Sequence, residues 1–356
     1  MKAVVLCAGE GTRLRPLTYT SAKHLIPLAN KPVIYYTLES LREAGIVDIG
    51  VVVSPNVEEE FQSALGDGRA WGIKIEYLLQ RQPKGLAHAV SCARDYVGQE
   101  PFLVYLGDNL LQYGVKEPVQ RFSQSQAQAT LLLTEVEDPR SFGVARLNAQ
   151  GNEIIELVEK PQRPPSRLAI IGVYLFDRRI FEAIEQISPS GRGELEITDA
   201  IQRLIDQGHR VTPQLLQGWW KDVGRPEDML DANRLLLEGL QTVIRSPLGP
   251  EVIVKGRVEI AEEVLIERSE LRGPLIIGRG AQIHDSFVGP FTALAENVRL
   301  DKSEVEYSIV MEGAQIEQVG RIDHSLIGRG VHLWRRRRPP DAYNFVIGDK
   351  SQVRLI

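Results

Sequence analysis

The chain has 356 residues, 43% hydrophobic and 25% charged, with a formal net charge of −5. That length suits two soluble domains, and the acidic balance argues against a general nucleic-acid binder, which carries a basic excess. Cys7 and Cys92 lie far apart in apolar segments and read as buried free thiols, and no apolar run is long enough for a signal peptide or a bilayer span, so a cytoplasmic chain is expected.

From the N-terminus to about residue 240, short β-rich runs alternate with amphipathic stretches. Lys2–Cys7, Ile49–Ser54, Ile73–Leu79 and Phe102–Leu106 are predicted strands, and Pro32–Ala44, Val57–Leu65 and Leu86–Tyr96 carry helical spacing. Strand, helix, strand in succession implies right-handed crossovers and a mostly parallel sheet. Ligands in such sheets sit beyond the carboxyl ends of the strands. Two loops, Ala8–Leu17 and Gly107–Asn109, are therefore expected on one edge.

The first of these loops reads CAGEGTRLRPLT. Gly9 and Gly11 are present, but Leu14 stands where a dinucleotide fingerprint wants its third glycine, and the Gly-Lys-Ser/Thr of a P-loop is absent. Small residues (Ala8, Gly9, Gly11, Thr12) let backbone N–H groups approach an anion, and Arg13 and Arg15 offer guanidinium forks that match phosphate. Taken alone, such a loop is better read as a glycine turn with two solvated arginines.

Beyond about residue 250 the rhythm changes. Apolar residues recur at six-residue steps, from Val258 to Val264, Leu271 to Ile277 to Ile283, Ile316 to Ile322 and Ile327 to Leu333. Glycine follows several of the apolar positions, as at Ile277-Gly278, Val288-Gly289, Ile327-Gly328 and Ile347-Gly348. A hexad with small residues at its corners predicts a parallel β-helix. The register slips over Ala295–Ser308. Residues 240–250, with Ser246, Pro247, Gly249 and Pro250, read as a linker between domains at 1–240 and 251–356.

GEGTRLRPLT followed by SAKHLIPLANKP resembles the signature of sugar-1-phosphate nucleotidylyltransferases. Within that family the chain is most similar to long-type glucose-1-phosphate thymidylyltransferases. The resemblance implies a Rossmann-like, mostly parallel α/β sheet followed by a C-terminal left-handed parallel β-helix. It further implies that Ala8, Gly9, Gly11, Thr12 and Arg13 wrap a triphosphate, that Arg13 steadies the pyrophosphate leaving group, and that Lys23 contacts phosphate. LLQRQPKGLAHAV resembles the family's base-reading element, with Gln80 and the backbone near Gly85 meeting a pyrimidine edge. A glutamine amide offers a donor and an acceptor, and thymine and uracil share the edge it would read. Asp108 in LVYLGDNLL and Asp222 in GWWKDVGRPEDM match two carboxylates that converge on one Mg²⁺.

On the sugar side the resemblance assigns Gly143, Glu159, Lys160, Gly172 and Tyr174. Trp220 is preferred to Trp219 as an apolar wall, and Glu194 and Glu196 open a helix without a firm role. No nucleophile–base–orienter triad is visible, and His24 and His88 have no evident partner. None is needed, because a sugar phosphate is already ionised and can attack the α-phosphorus in one in-line displacement. The leading expectation is dTTP plus glucose 1-phosphate giving dTDP-glucose and pyrophosphate. The alternatives are UTP or another sugar 1-phosphate, and a catalytically silent sensor or assembly subunit. Intact Arg13, Lys23, Asp108, Lys160 and Asp222 argue against the last.

The β-helix of some related bifunctional enzymes transfers acyl groups, usually with a histidine base. His284, His324 and His332 are candidates, yet none sits in a string tied to that chemistry, so a prism that supports a homo-oligomer is expected. The block Trp334-Arg335-Arg336-Arg337-Arg338-Pro339-Pro340, ahead of Gly348-Asp349-Lys350-Ser351, reads as a solvated or intersubunit face without a catalytic role.

Overall fold

Four β-branched and leucine-rich runs form the parallel centre of one mixed sheet. In spatial order these are Lys74–Leu79, Asp48–Val53, Lys2–Leu6 and Phe102–Leu106. In this computed structural model, residues 1–335 are described. Antiparallel Leu168–Phe176 follows Phe102–Leu106, and Ala129–Glu135 and then Val211–Leu215 continue the sheet. A shift in register between Ile170 and Tyr174 lets the first half of Leu168–Phe176 also meet Gly143–Leu147, which carries Ile154–Glu159 beyond it.

Helices cover both faces and divide the core. Val4, Val104, Phe102 and Phe176 pack on one side with Ile197–Asp206, while Val5, Val51, Tyr105 and Val173 pack on the other with Val33–Glu43. The expected helix Leu86–Tyr96 is broken. Leu86–Ser91 and Arg94–Val97 are separated by a tightened turn in which the Ala93 N–H donates to the Val90 carbonyl. That turn sinks Ala93 and Tyr96 into the core. Of the two thiols, Cys7 is buried and Cys92 only half-buried, and both are free. No helix among the described residues is long and apolar enough to cross a membrane.

The strand order reverses beside Lys2–Leu6. From there the chain adds Asp48–Val53 and Lys74–Leu79 on one side and Phe102–Leu106 on the other. Such a reversal leaves a crevice at the carboxyl ends. It lies between the loop after Lys2–Leu6 and the loop after Phe102–Leu106.

The C-terminal residues coil into three parallel sheets with the form of a left-handed β-helix. Val258 stacks on Leu275 and that on Thr292, while Ile266, Ile283, Leu300, Ile316 and Leu333 form a second column. The slip over Ala295–Ser308 has a physical cause. Stacked partners are 17 residues apart from Ile277 to Leu294 and from Val310 to Ile327 but 16 apart from Leu294 to Val310, so one coil is a residue short while the buried stack continues. Serines turn one corner: the Ser269 hydroxyl accepts the Ser286 N–H, and Ser286 accepts that of Ser303. The interval 240–250 is already tied to the prism, since Val243–Ile244 pairs with Val258–Ile260 and Ser246 bonds to Ala261 and Val264. Of the arginine block only Trp334 and Arg335 are described; the rest, with Gly348–Ser351, lies outside the described residues.

The two parts share an apolar seam of Leu14, Ile26, Leu110, Met229, Ile309 and Met311. Fully buried Asn233 spans it, accepting the Ala29 N–H at 2.8 Å and donating to the Phe291 carbonyl at 3.0 Å. Asn233→Ala would strand both backbone groups, so unfolding stability measured by denaturant titration should fall by about 2–4 kcal/mol. Arg329 donates to Ser21 Oγ and to the Leu25 carbonyl, which fastens the prism to both sides of Lys23.

Candidate active site

The loop after Lys2–Leu6 closes over the crevice in tight turns. Gly11, at φ +63°, leads into the single turn Thr12–Leu14. Arg13 is thereby turned toward Gly224, where a β-carbon would sit 2.9 Å from its Nη2. A second turn, Lys23–Leu25, brings Lys23 Nζ onto the Asp108 carboxylate, both largely buried. Asp108 itself comes one residue, Gly107, after Phe102–Leu106.

The second carboxylate arrives by a short antiparallel pair. Trp220–Asp222 lies beside Asn109–Leu111 with Asp222 opposite Asn109, and the Val223 N–H donates to the Asp108 carbonyl at 2.9 Å. The two acids, far apart in sequence, therefore sit side by side. Burial works to raise the Asp108 carboxyl, but the Lys23 charge and the hydrogen bonds from Lys23 and Asn109 outweigh it, leaving the group near 2. Burial and then the Asp108 charge push Asp222 up to about 6. Two carboxylates crowded so closely that the charge of one raises the other are the electrostatic setting that suits a divalent cation. Among the described residues no third acid or histidine joins them. An ion held by one or two carboxylates, with waters and phosphate oxygens completing its shell, is the habit of Mg²⁺.

Beside Lys23 and Asp108 opens a cavity of about 250 Å³ lined by Ala8, Gly9, Gln80, Gly85 and Leu86. Gly85 is required by its backbone: at φ +102°, a β-carbon would lie 2.6 Å from the Leu195 carbonyl oxygen. A second cavity, about 210 Å³, shares Leu86, Leu106 and Glu194 with the first and holds Gly143, Glu159, Lys160 and Tyr174. Glu159 accepts from Thr198 Oγ1 at 3.1 Å, and burial raises its carboxyl against the opposing Lys160 charge. Gly143 makes room for Thr198, the donor to that carboxylate, since a β-carbon there would lie 2.7 Å from Thr198 Cγ2. Lys160 ends its strand at φ +41° with Nζ 3.7 Å from Glu159, outside hydrogen-bond range, and its side chain is 43% exposed. That ammonium is free to meet a ligand.

Other expected residues fall differently. Gly172 lines neither cavity; its N–H donates to Asn109 Oδ1 at 3.2 Å, and a β-carbon would strike the Asn109 amide. Trp220 stands behind the second cavity, its Nε1 donating to Asn109 Oδ1 at 2.6 Å and its ring edge-on to Phe142. Trp219 packs instead in the seam. Asn109, not singled out in the sequence, joins Asp108, Gly172 and Trp220 through one amide. Arg192 was also unread. It lines the second cavity, grips Glu196 through both oxygens, and reaches Glu159 at 3.4 Å. Its flanking glycines, Gly191 and Gly193, were the available signal.

His24 is buried and, through burial and then the Lys23 charge, is lowered to about 3, so it stays neutral. Two larger cavities, about 1230 and 750 Å³, lie along the domain seam; the smaller of them takes Arg15 and His324, which the fold therefore keeps away from the lining shared by Lys23 and Asp108. Lys23 and Asp108 line one of the smaller pair, and Glu159 and Lys160 line the other.

Residues 2–239 match the family described as nucleotidyl transferase. The chain belongs to that family. It is 47% identical to glucose-1-phosphate thymidylyltransferase of Streptomyces griseus over 100% of this chain and 99% of that one. It is 45% identical to the low-salt glycan biosynthesis nucleotidyltransferase Agl11 of Haloferax volcanii, with 100% of both covered. A solved Bacillus anthracis structure, described as a glucose-1-phosphate thymidylyltransferase with sucrose, superposes at TM-score 0.62 and 36% identity over 66% of this chain and 94% of that chain. The protein is a nucleotidyltransferase.

Proposed function

We propose that this enzyme transfers dTMP from dTTP to glucose 1-phosphate, releasing pyrophosphate, with Mg²⁺ as its metal. The observation that carries the reading is the adjacent Asp108–Asp222 pair, flanked by Lys23 and Arg13, with Asp108 and Lys23 lining a cavity that shares Leu86, Leu106 and Glu194 with a second one. In this reading one cavity would take a base and ribose beside Gln80 and Gly85, and the other a hexose beside Glu159. Full-length similarity to a thymidylyltransferase supports the choice of substrates.

Asp108 and Asp222 would hold the ion, which when bound screens phosphate charge and polarises the α-phosphate. The chain's other groups position and neutralise. Arg13 and Lys23 offset the triphosphate, Arg13 on the departing pyrophosphate. Lys160 steadies the sugar phosphate for attack in line, and Glu159 accepts hydrogen bonds from sugar hydroxyls. Fixed cations in a cleft offset phosphate repulsion better than water does. No proton needs to move, which fits a His24 that stays neutral.

Pyrophosphate release across a grid of nucleoside triphosphates and sugar 1-phosphates tests this. The highest kcat/KM is expected for dTTP with glucose 1-phosphate, and chelation of divalent ions should abolish release, with Mg²⁺ restoring it. A different best pair, or release that survives chelation, would refute the assignment.

A further inference from the structure

Gln80 ends the strand Lys74–Leu79 and is almost wholly buried, with its side chain facing the first cavity. Its Nε2 donates to the Gly85 carbonyl at 3.2 Å and meets His88 Nδ1 at 3.0 Å. A backbone carbonyl only accepts, so it must face the amide nitrogen and not the amide oxygen. The second hydrogen on that nitrogen then points to His88. Both donors are thus consumed inside the protein, and among the described residues nothing donates to Oε1. The sequence reading, in which this amide offers a donor and an acceptor to the base, is narrowed: only the acceptor remains.

We propose that His88 is a positioning residue for nucleotide choice, fixing the Gln80 amide so that an acceptor alone faces the base. Resting on the proposed nucleotide cavity, the proposal goes further by naming the side chain that fixes the choice of base. Thymine and uracil present N3–H, a donor that Oε1 can receive. Cytosine presents a bare N3, which Oε1 repels. The device requires His88 to accept at Nδ1 and carry its proton on Nε2. Burial, and after it the Lys84 charge, hold its imidazole below the ordinary range, so it is neutral at pH 7. His88 itself lies outside the proposed reaction path, on the helix Leu86–Ser91 that borders the cavity.

The test compares dTTP with CTP, each by kcat/KM with glucose 1-phosphate and by calorimetric binding without sugar. The wild type should prefer dTTP. His88→Ala and the ring-preserving His88→Phe remove the acceptor, free one amide hydrogen and let Gln80 rotate. In both, the dTTP-to-CTP ratio should fall about tenfold, the worth of roughly one hydrogen bond, while KM for glucose 1-phosphate stays unchanged. His88→Gln, whose own amide oxygen can accept, should keep the wild-type ratio. If the Ala and Phe variants lose both nucleotides in proportion, or if the wild type does not discriminate, the proposal is overturned. If the wild type neither binds nor turns over a pyrimidine triphosphate, it is the proposed function that fails.

Discussion

Asp108→Asn is expected to lower kcat/KM by at least roughly 10²-fold, a loss of about 2.7 kcal/mol of transition-state stabilisation. Asparagine keeps the volume and can still accept from Lys23, so the fold has little reason to change. What disappears is the charge that, beside Asp222, would bind a divalent ion. The defect should therefore appear in two independent measurements. Turnover falls, and Mn²⁺, used as a paramagnetic probe, binds more weakly. A change in thermal unfolding alone would signify only the lost Lys23–Asp108 pair, since breaking a buried pair is itself destabilising. Wild-type turnover together with wild-type Mn²⁺ affinity would remove Asp108 from the metal site.

Much of this arrangement is legible in the sequence because local pattern decides it. Phe102–Leu106 is a continuous apolar run followed by Gly107-Asp108, so a buried strand ending at a carboxylate follows from residue types alone. The hexads of the C-terminal half likewise reach the structure as stacked, buried columns. What stays hidden depends on who faces whom across the sheet. Nothing near Asp222 announces that its strand will pair with Asn109–Leu111, and that pairing is what brings the two acids together. Gly172 looks like a ligand-facing glycine, but its missing side chain makes way for Leu106 and Asn109.

Arg192 escapes the sequence reading, and His88 stands there without a partner, for a related reason. Each acts through another side chain, Arg192 on Glu159 and Glu196, His88 on Gln80. A residue's type states what it can bond to; only the fold states which of those bonds are already taken. The Gln80 amide shows the difference most directly, since its donors are spent on Gly85 and His88 before any ligand arrives.

Lys160→Ala is the second large loss expected, again at least roughly 10²-fold in kcat/KM. Its ammonium stands apart from Glu159 by 3.7 Å, a separation that leaves its donors available. The left-handed backbone at Lys160 is held by the bond from its N–H to the Phe142 carbonyl, which alanine retains, so the strand end should keep its course. The loss should fall on the sugar side: a raised KM for glucose 1-phosphate and a lower kcat, with the KM for dTTP little changed. Lys160→Arg keeps the charge on a differently shaped head and should recover part of the rate. Arg192 cannot substitute, because its guanidinium is already committed to Glu196 by two bonds. An alanine variant with an unaltered glucose 1-phosphate KM and kcat would show that the attacking phosphate is held elsewhere.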